Sequence, residues 1–343
     1  MEELTKFQKW KFIISYLTFF PFTKPLFINF GLTHKCNLRC KICETWKYGL
    51  KEENELNLEE LKNVINQIGR WGGINVSFAG GEPLLRKDDL IECIKLAKKW
   101  NLITHVTSNG LLVNKTIAED LVLSGLDYLQ FSLDGATEKT NDYIRGKGCY
   151  KKVMNSIKKI KRAKEKFNSD LKLSLTTVVN DKNIDELLDI VELVEKLELY
   201  EVSFNPYNLD TSYTKNKRYE DDEFWVKKKN ISKLRKICEE LIKIKREKRI
   251  IGTPLFMLKM MPEYFEKKEK FREGICMAGY SYMYIKPNGE VDVCGKGPSL
   301  NVREYSIKSI WYSLRFEKTR LKIFRCKKPC LMLCFPRIKI GIR

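Results

Sequence analysis

The chain predicts an α/β fold: a partial (β/α)6 barrel followed by a small, cysteine-rich C-terminal domain. Three observations carry this. Short apolar runs alternate with amphipathic segments from Phe27 onward, the rhythm of βα units around a parallel sheet. Several of those runs finish in Gly, Asn, Asp or Ser, the residues that shape loops at strand ends. Eight of the eleven cysteines fall in two groups, Cys36 to Cys43 and Cys276 to Cys334, while Cys93, Cys149 and Cys238 are scattered. A chain of 343 residues buries a full core without covalent staples, so the grouped thiols need another purpose.

Residues 1–25 are aromatic and basic, with Trp10, Phe12, Tyr16, Phe19, Phe20 and Phe22 flanked by Lys9, Lys11 and Lys24. Pro21 interrupts the stretch, which is too short to span a bilayer and lacks the small-residue cleavage site of a signal peptide. Two readings stand: a helix docked on the core, or a basic amphipathic surface resting on lipid.

Residues 26–207 form the expected barrel, with strands at Leu26 to Thr33, Ile74 to Ala79, Leu102 to Ser108, Tyr128 to Leu133, Leu171 to Val179 and Glu201 to Pro206. Between the first two, Asn57 and Glu60 suit a capping box, and Leu61, Val64, Ile65 and Ile68 then repeat at helical spacing. Similar stripes run through Leu90, Ile91, Ile94 and Ala97, and through Leu187, Leu188, Ile190, Val191 and Val194. Residues 208–273 read as a connector, polar at first and then helical and highly charged from Asp222 to Lys248. Residues 274–343 carry the second cysteine group, a weaker strand at Tyr282 to Lys286 and a hairpin turn at Lys286 to Glu290. A helix-like segment follows with Ile310, Trp311, Leu314 and Phe316.

The formal net charge is +20, from 64 Lys plus Arg against 44 Asp plus Glu. Such a balance suits anionic partners. Lysines such as Lys151, Lys152, Lys158 and Lys159, however, are spread over helix faces like solvated surface. Gln occurs only at Gln8, Gln67 and Gln130, beside abundant Lys, Glu and Ile, a bias of proteins from hot environments. No stacking-aromatic motif, RGG tract or zinc-finger spacing supports a nucleic-acid partner.

The chemistry starts at Cys36, Cys40 and Cys43, whose C-x-x-x-C-x-x-C loop follows the first strand. Electron-transfer clusters take four thiolates, so three in one loop suit three irons of a cubane cluster and leave the fourth for a small molecule. A zinc site would favour paired C-x-x-C knuckles and four ligands. A disulfide does not suit a chain with no export signal, where clustered thiols read as metal ligands in a reducing cytosol. The next strand ends Gly80-Gly81-Glu82-Pro83, the third ends Thr107-Ser108-Asn109-Gly110, and the fourth ends Ser132-Leu133-Asp134-Gly135. Glycines there let a ligand approach the backbone, Glu82 adds an acceptor for an ammonium, and a β/α barrel keeps its chemistry at that end.

With these motifs and Asn141-Asp142-Tyr143-Ile144-Arg145 in succession, residues 26–206 resemble a radical S-adenosylmethionine (SAM) enzyme with a TIM-like barrel. The C-terminal part is similar to SPASM and twitch domains. The resemblance implies that the open iron chelates the amino and carboxylate groups of SAM, with Gly80, Gly81 and Glu82 meeting the ammonium. It further implies that Ser132 and Arg145 hold the carboxylate or ribose, with Asn109 and Asn180 in the same ring of strand ends. In the second group, Cys276, Cys294, Cys326, Cys330 and Cys334 suffice for one auxiliary [4Fe–4S] cluster, with the first four favoured as ligands and Cys334 replacing one or remaining free. Spacing alone does not separate that cluster from a zinc thiolate site. Asp292, two positions before Cys294, is a candidate base for substrate deprotonation.

The expectation is thus an oxygen-sensitive, cytoplasmic radical SAM enzyme fed by a ferredoxin- or flavodoxin-like one-electron reductant. Peptide or protein maturation leads as its reaction, and modification of a small metabolite or lipid precursor is the alternative. Its rival from another class is a non-catalytic iron–sulfur or zinc protein, which explains the thiols but not the glycine- and aspartate-bearing strand ends. Peripheral membrane contact remains the second reading of residues 1–25.

Overall fold

The computed structural model describes residues 6–49, 54–208, 221–266, 275–326, 330–331 and 337–338. The six apolar runs of the barrel are strands whose ends fall within one residue of the expected ones: β1 Phe27–Thr33, β2 Asn75–Gly80, β3 Ile103–Ser108, β4 Tyr128–Ser132, β5 Lys172–Val179 and β6 Glu201–Pro206. Helix α1 (Lys6–Thr18) precedes them, and α2 (Thr45–Gly49) closes the first cysteine loop. The crossovers are α3 (Leu58–Trp71), α4 (Lys87–Lys99), α5 (Lys115–Leu123), α6 (Glu138–Arg145), α7 (Cys149–Phe167) and α8 (Leu187–Lys196). Beyond the barrel come α9 (Ile231–Glu247), α10 (Leu255–Glu266), β7 (Ile275–Cys276), α11 (Ala278–Ser281), β8 (Tyr282–Ile285), β9 (Glu290–Asp292) and β10 (Pro298–Asn301). The last elements are α12 (Ile307–Trp311), α13 (Leu314–Phe324) and β11 (Arg337–Ile338).

Strands β1 to β6 pair in parallel, each with the next. Their outward residues, Ile28, Phe30, Val76, Phe78, Leu129, Phe131, Leu175 and Phe204 among them, are buried beneath the helices. The alternate residues Asn29, Ser77, Thr107, Gln130, Ser132, Thr176 and Asn205 are half-buried on the other, concave face. Period-two alternation separates these sets, so the barrel is apolar outside its sheet and polar inside it. The Asn57–Glu60 capping box forms as expected, and Leu61, Val64, Ile65, Ile68 and Trp71 face the core from α3. The scattered Cys93, Cys149 and Cys238 are buried on helices.

The C-terminal strands continue the barrel sheet, whose order is β10-β9-β8-β1-β2-β3-β4-β5-β6. Strand β8 lies parallel to β1 on the flank away from β2, and β9 returns antiparallel through the Lys286–Glu290 turn, where Gly289 adopts φ +86°. Two details differ from the sequence reading. The segment after Asp222 is not one long helix, because Asp222 caps a turn at Phe224 and α9 begins at Ile231. The segment around Trp311 is two helices, because the Ser313 hydroxyl accepts the Phe316 N–H and starts a new one.

Helix α1 docks Phe12 and Tyr16 on Met277 and Tyr280 and leaves Trp10, Ile14 and Leu17 exposed. No helix among the described residues is long and apolar enough to cross a membrane.

Candidate active site

The loop bearing Cys36, Cys40 and Cys43 is fastened at both ends. At its start, Thr33 Oγ1 donates to Glu55 at 2.6 Å and accepts the Lys35 N–H at 3.0 Å. Arg86 reaches the carbonyls of Leu32 and Leu56 at 2.9 and 2.8 Å and pairs with Asp89, holding the end of β1 against α4. Farther on, the Lys41 N–H donates to the Ile144 carbonyl, and the Lys41 ammonium lies 3.4 Å from the Tyr143 ring centre. The Leu38 N–H points at Cys36 Sγ at 3.4 Å, a donor that favours thiolate. Burial nevertheless raises the Cys36 thiol, and it raises Cys40 to about 12 against the opposing charge of Arg145.

The Gly80–Gly81 pair explains how this loop lies so close to β2. A Cβ on Gly81 would stand 2.2 Å from the Lys35 carbonyl oxygen and 2.5 Å from that of His34. One on Gly80, at φ +138°, would stand 2.2 Å from the Thr33 oxygen. The close approach these glycines permit is therefore first that of the cysteine loop's own backbone. The Gly81 and Glu82 N–H groups donate to Thr33 and Lys35 and lock the two strand ends together.

Glu82 is buried, and its carboxylate is already engaged. Oε1 accepts the Leu84 N–H and the Ser108 hydroxyl, and Oε2 accepts the Asn109 N–H. Burial pushes its carboxyl up, and these three donors oppose that. Glu82 thus joins the ends of β2 and β3, a duty the sequence did not reveal. Asn109 extends the join, since its Nδ2 donates to Asn37 at 2.7 Å and approaches Cys36 Sγ at 3.9 Å.

On the other side of the loop, the Arg145 guanidinium forms an ion pair with Asp134 at 2.8 Å. Burial alone would lower Arg145, but Asp134 and Cys40 push it up, so the cation persists beside the cysteine loop. Asp134 also accepts the Val178 N–H at 2.7 Å, and its own N–H donates to Asn141. The Arg145 counter-ion, Asp134, stands in the Ser132-Leu133-Asp134-Gly135 strand end, and only folding brings the two together. Ser132 lies half-buried at the end of β4 on the concave face.

Two further candidates also hold turns. Asn180 is buried and self-satisfied: Nδ2 donates to the Val178 carbonyl and Oδ1 accepts the Lys182 N–H, so it shapes a turn. Asp292 accepts the N–H groups of Gly295 and Gly297 at 2.9 and 3.2 Å. Its carboxylate pins the turn that carries Cys294 at φ +56°.

Of the second cysteine group, Cys276 sits on β7, Cys294 on the exposed turn after β9, and Cys326 just past α13, with Cys330 beyond. Cys334 lies outside the described residues. The first group fits an iron–sulfur cluster by its donors and spacing. Its thiols sense one another's charge, yet among the described residues no three His, Cys, Asp or Glu side chains converge on one ion. A polynuclear cluster needs soft sulfur donors spread more widely than the four at about 2.3 Å that grip one zinc.

Comparison with known proteins agrees with this geometry. The model of the radical SAM superfamily matches residues 31–194, and that of the SPASM iron–sulfur cluster-binding domain matches residues 276–335. The chain is 27% identical to the PqqA peptide cyclase of Bradyrhizobium diazoefficiens over 331 residues, covering 92% of this chain and 80% of that protein. It is 30% identical to the Fe-coproporphyrin III synthase of Methanosarcina barkeri over 191 residues, 55% of this chain and 46% of that one. Streptococcus suis SuiB, solved with its precursor peptide SuiA, shares the fold with a TM-score of 0.69 at 20% identity, over 90% of this chain and 69% of that one. Residues 31–194 are a radical SAM domain and residues 276–335 an iron–sulfur domain of the SPASM type, which gives the enzyme a main [4Fe–4S] cluster, a SAM site and an auxiliary iron–sulfur centre.

Proposed function

We propose that this enzyme matures a peptide or protein by removing a hydrogen atom from one of its unactivated C–H bonds. The carrying observation is the polar concave face of the barrel, where Asn29, Ser77, Thr107, Gln130, Ser132, Thr176 and Asn205 are half-buried. Hydroxyl and amide side chains suit the main-chain amides of a peptide better than a hydrocarbon tail, which offers them no hydrogen bond. Similarity to a peptide cyclase across 92% of this chain points the same way.

In this reading residues 26–207 are the catalytic barrel and 274–343 the auxiliary domain, joined by 208–273. Cys36, Cys40 and Cys43 hold the SAM cluster, and four of Cys276, Cys294, Cys326, Cys330 and Cys334 hold the auxiliary one. The Gly80–Gly81 edge, kept in place by Glu82 and Asn109, faces the amino group of SAM, and Ser132 and Arg145 face its carboxylate or ribose. When bound, reduced cluster and SAM together supply a 5′-deoxyadenosyl radical that takes the substrate hydrogen. The protein's own part is to fix reacting atoms at short distance and exclude water. A ferredoxin- or flavodoxin-like donor supplies the electron, which places the enzyme in the reducing cytoplasm.

The test is anaerobic reconstitution, reduction and an assay for 5′-deoxyadenosine, then deuterium transfer from labelled peptide pools. Turnover surviving replacement of all three loop cysteines by alanine would refute the class. Deuterium arriving only from small metabolites would refute the peptide and favour the second reading, a small-metabolite substrate, which similarity to a porphyrin-forming enzyme over the shared half supports.

A further inference from the structure

Neighbouring elements from both halves of the chain expose apolar side chains. On α1, Trp10, Ile14 and Leu17 follow at helical spacing along one stripe, with Trp10 62% and Leu17 61% exposed. Past the helix, Phe20 and Phe22 meet edge to face at 5.0 Å, both half-exposed. From the far end of the chain, Tyr312 reaches Phe20 at 6.1 Å and Phe324 packs on Phe19 at 5.3 Å. Leu314, 76% exposed, stands at the start of the same helix as Phe324. So many exposed apolar side chains on neighbouring elements mark a contact site.

The charge on its helices is mostly positive. On α13 and at its end, Arg315, Lys318, Lys322 and Arg325 are exposed with one acid, Glu317, among them, and on α1 Lys11 is exposed. Elsewhere lysines pair with acids, as Lys161 does with Glu198 and Lys243 with Glu240. Exposed aromatic side chains beside such cations match the boundary of a bilayer, where rings settle among headgroups and ammonium groups meet lipid phosphates.

We infer that this face docks peripherally on the surface of an anionic lipid bilayer. A symmetric pairing of two copies would set cation against cation, so a membrane suits the face better than a second chain does. The inference concerns where the enzyme works and is independent of its substrate.

The experiment is co-sedimentation of the full, iron-loaded chain with vesicles of phosphatidylglycerol and phosphatidylcholine, and with vesicles of phosphatidylcholine alone. Binding to the anionic vesicles is expected, weakening roughly tenfold without anionic lipid and again in high salt. The triple variant Trp10→Ser, Leu17→Ser, Phe20→Ser is expected to lose binding roughly tenfold while SAM cleavage and circular dichroism stay unchanged. Equal binding to neutral vesicles overturns the inference, as does undiminished binding by the triple variant. Failure to bind any vesicle overturns it too, and a dimer that the triple variant dissolves would then assign the face to a second copy.

Discussion

Glu82, just past β2, accepts the backbone N–H of Asn109, just past β3, at 2.7 Å, and both residues are buried. Replacing Glu82 with Gln keeps the shape and removes a charged acceptor. The expected cost is about 2 kcal/mol, for buried hydrogen bonds to a charged group, read by anaerobic urea unfolding. If the side chain served SAM alone, stability would stay at the parent value and only SAM affinity would fall.

Gly81→Ala tests the close passage of the cysteine loop. The added methyl meets main-chain oxygens of His34 and Lys35, which cannot swing aside as a flexible side chain would. Overpacking of this kind costs on the order of 1–3 kcal/mol, and the strand ends must separate to relieve it. Iron bound per chain after reconstitution should therefore drop along with stability; unchanged iron content would show that the loop tolerates a wider spacing.

Asp134→Ala leaves the Arg145 cation buried without its counter-charge. Breaking a buried pair from one side costs about 3–5 kcal/mol. The double variant Asp134→Ala, Arg145→Met should recover most of that stability and still bind SAM poorly, because Arg145 is gone. Calorimetric unfolding and SAM titration separate the two effects, and failure of the double variant to recover would show that Asp134 acts chiefly through Val178 and the loop around it.

Asp292→Asn keeps one acceptor for the Cys294 turn and abolishes any basic function. Turnover is expected to fall less than about tenfold, the scale of one ordinary hydrogen bond. A base lost from the reaction would cost roughly 100-fold or more. Single-turnover product formation distinguishes the two.

Asp127 gives a pH signature. Burial alone would raise its carboxyl, but the Lys98 ammonium and the two donors of Thr104 outweigh burial and hold it below its ordinary value. Its contribution is present above the carboxylate value of the unfolded chain and disappears as pH falls through the lowered value of the folded one. Asp127→Asn should flatten the acid side of the stability–pH curve, and an unaltered curve would exclude this linkage.

The barrel strands and helix stripes were legible because burial imposes periods of two and 3.6 on apolar residues, as at Ile28–Phe30 and Leu61–Ile68. The cysteine loop was legible because its ligands are close in sequence. The pairing of Asp134 with Arg145, and the engagement of Glu82 by Ser108 and Asn109, depend on strand ends that meet only after folding. The turn-holding bonds of Asp292 were hidden, because a carboxylate that ties down a turn and one that accepts a substrate proton have the same letter. The attachment of β8 to β1 was hidden as well, since a strand's partner is set by register and not by local pattern.

That attachment bears on how the protein can be taken apart. Ending the chain ahead of β7 would strip β1 of one neighbour along Phe27 to Phe30 and leave an unprotected row of amides, an invitation to stray pairing with other molecules. The barrel and its appendage share one continuous fabric, so a shortened version would tend to clump before its chemistry could be judged.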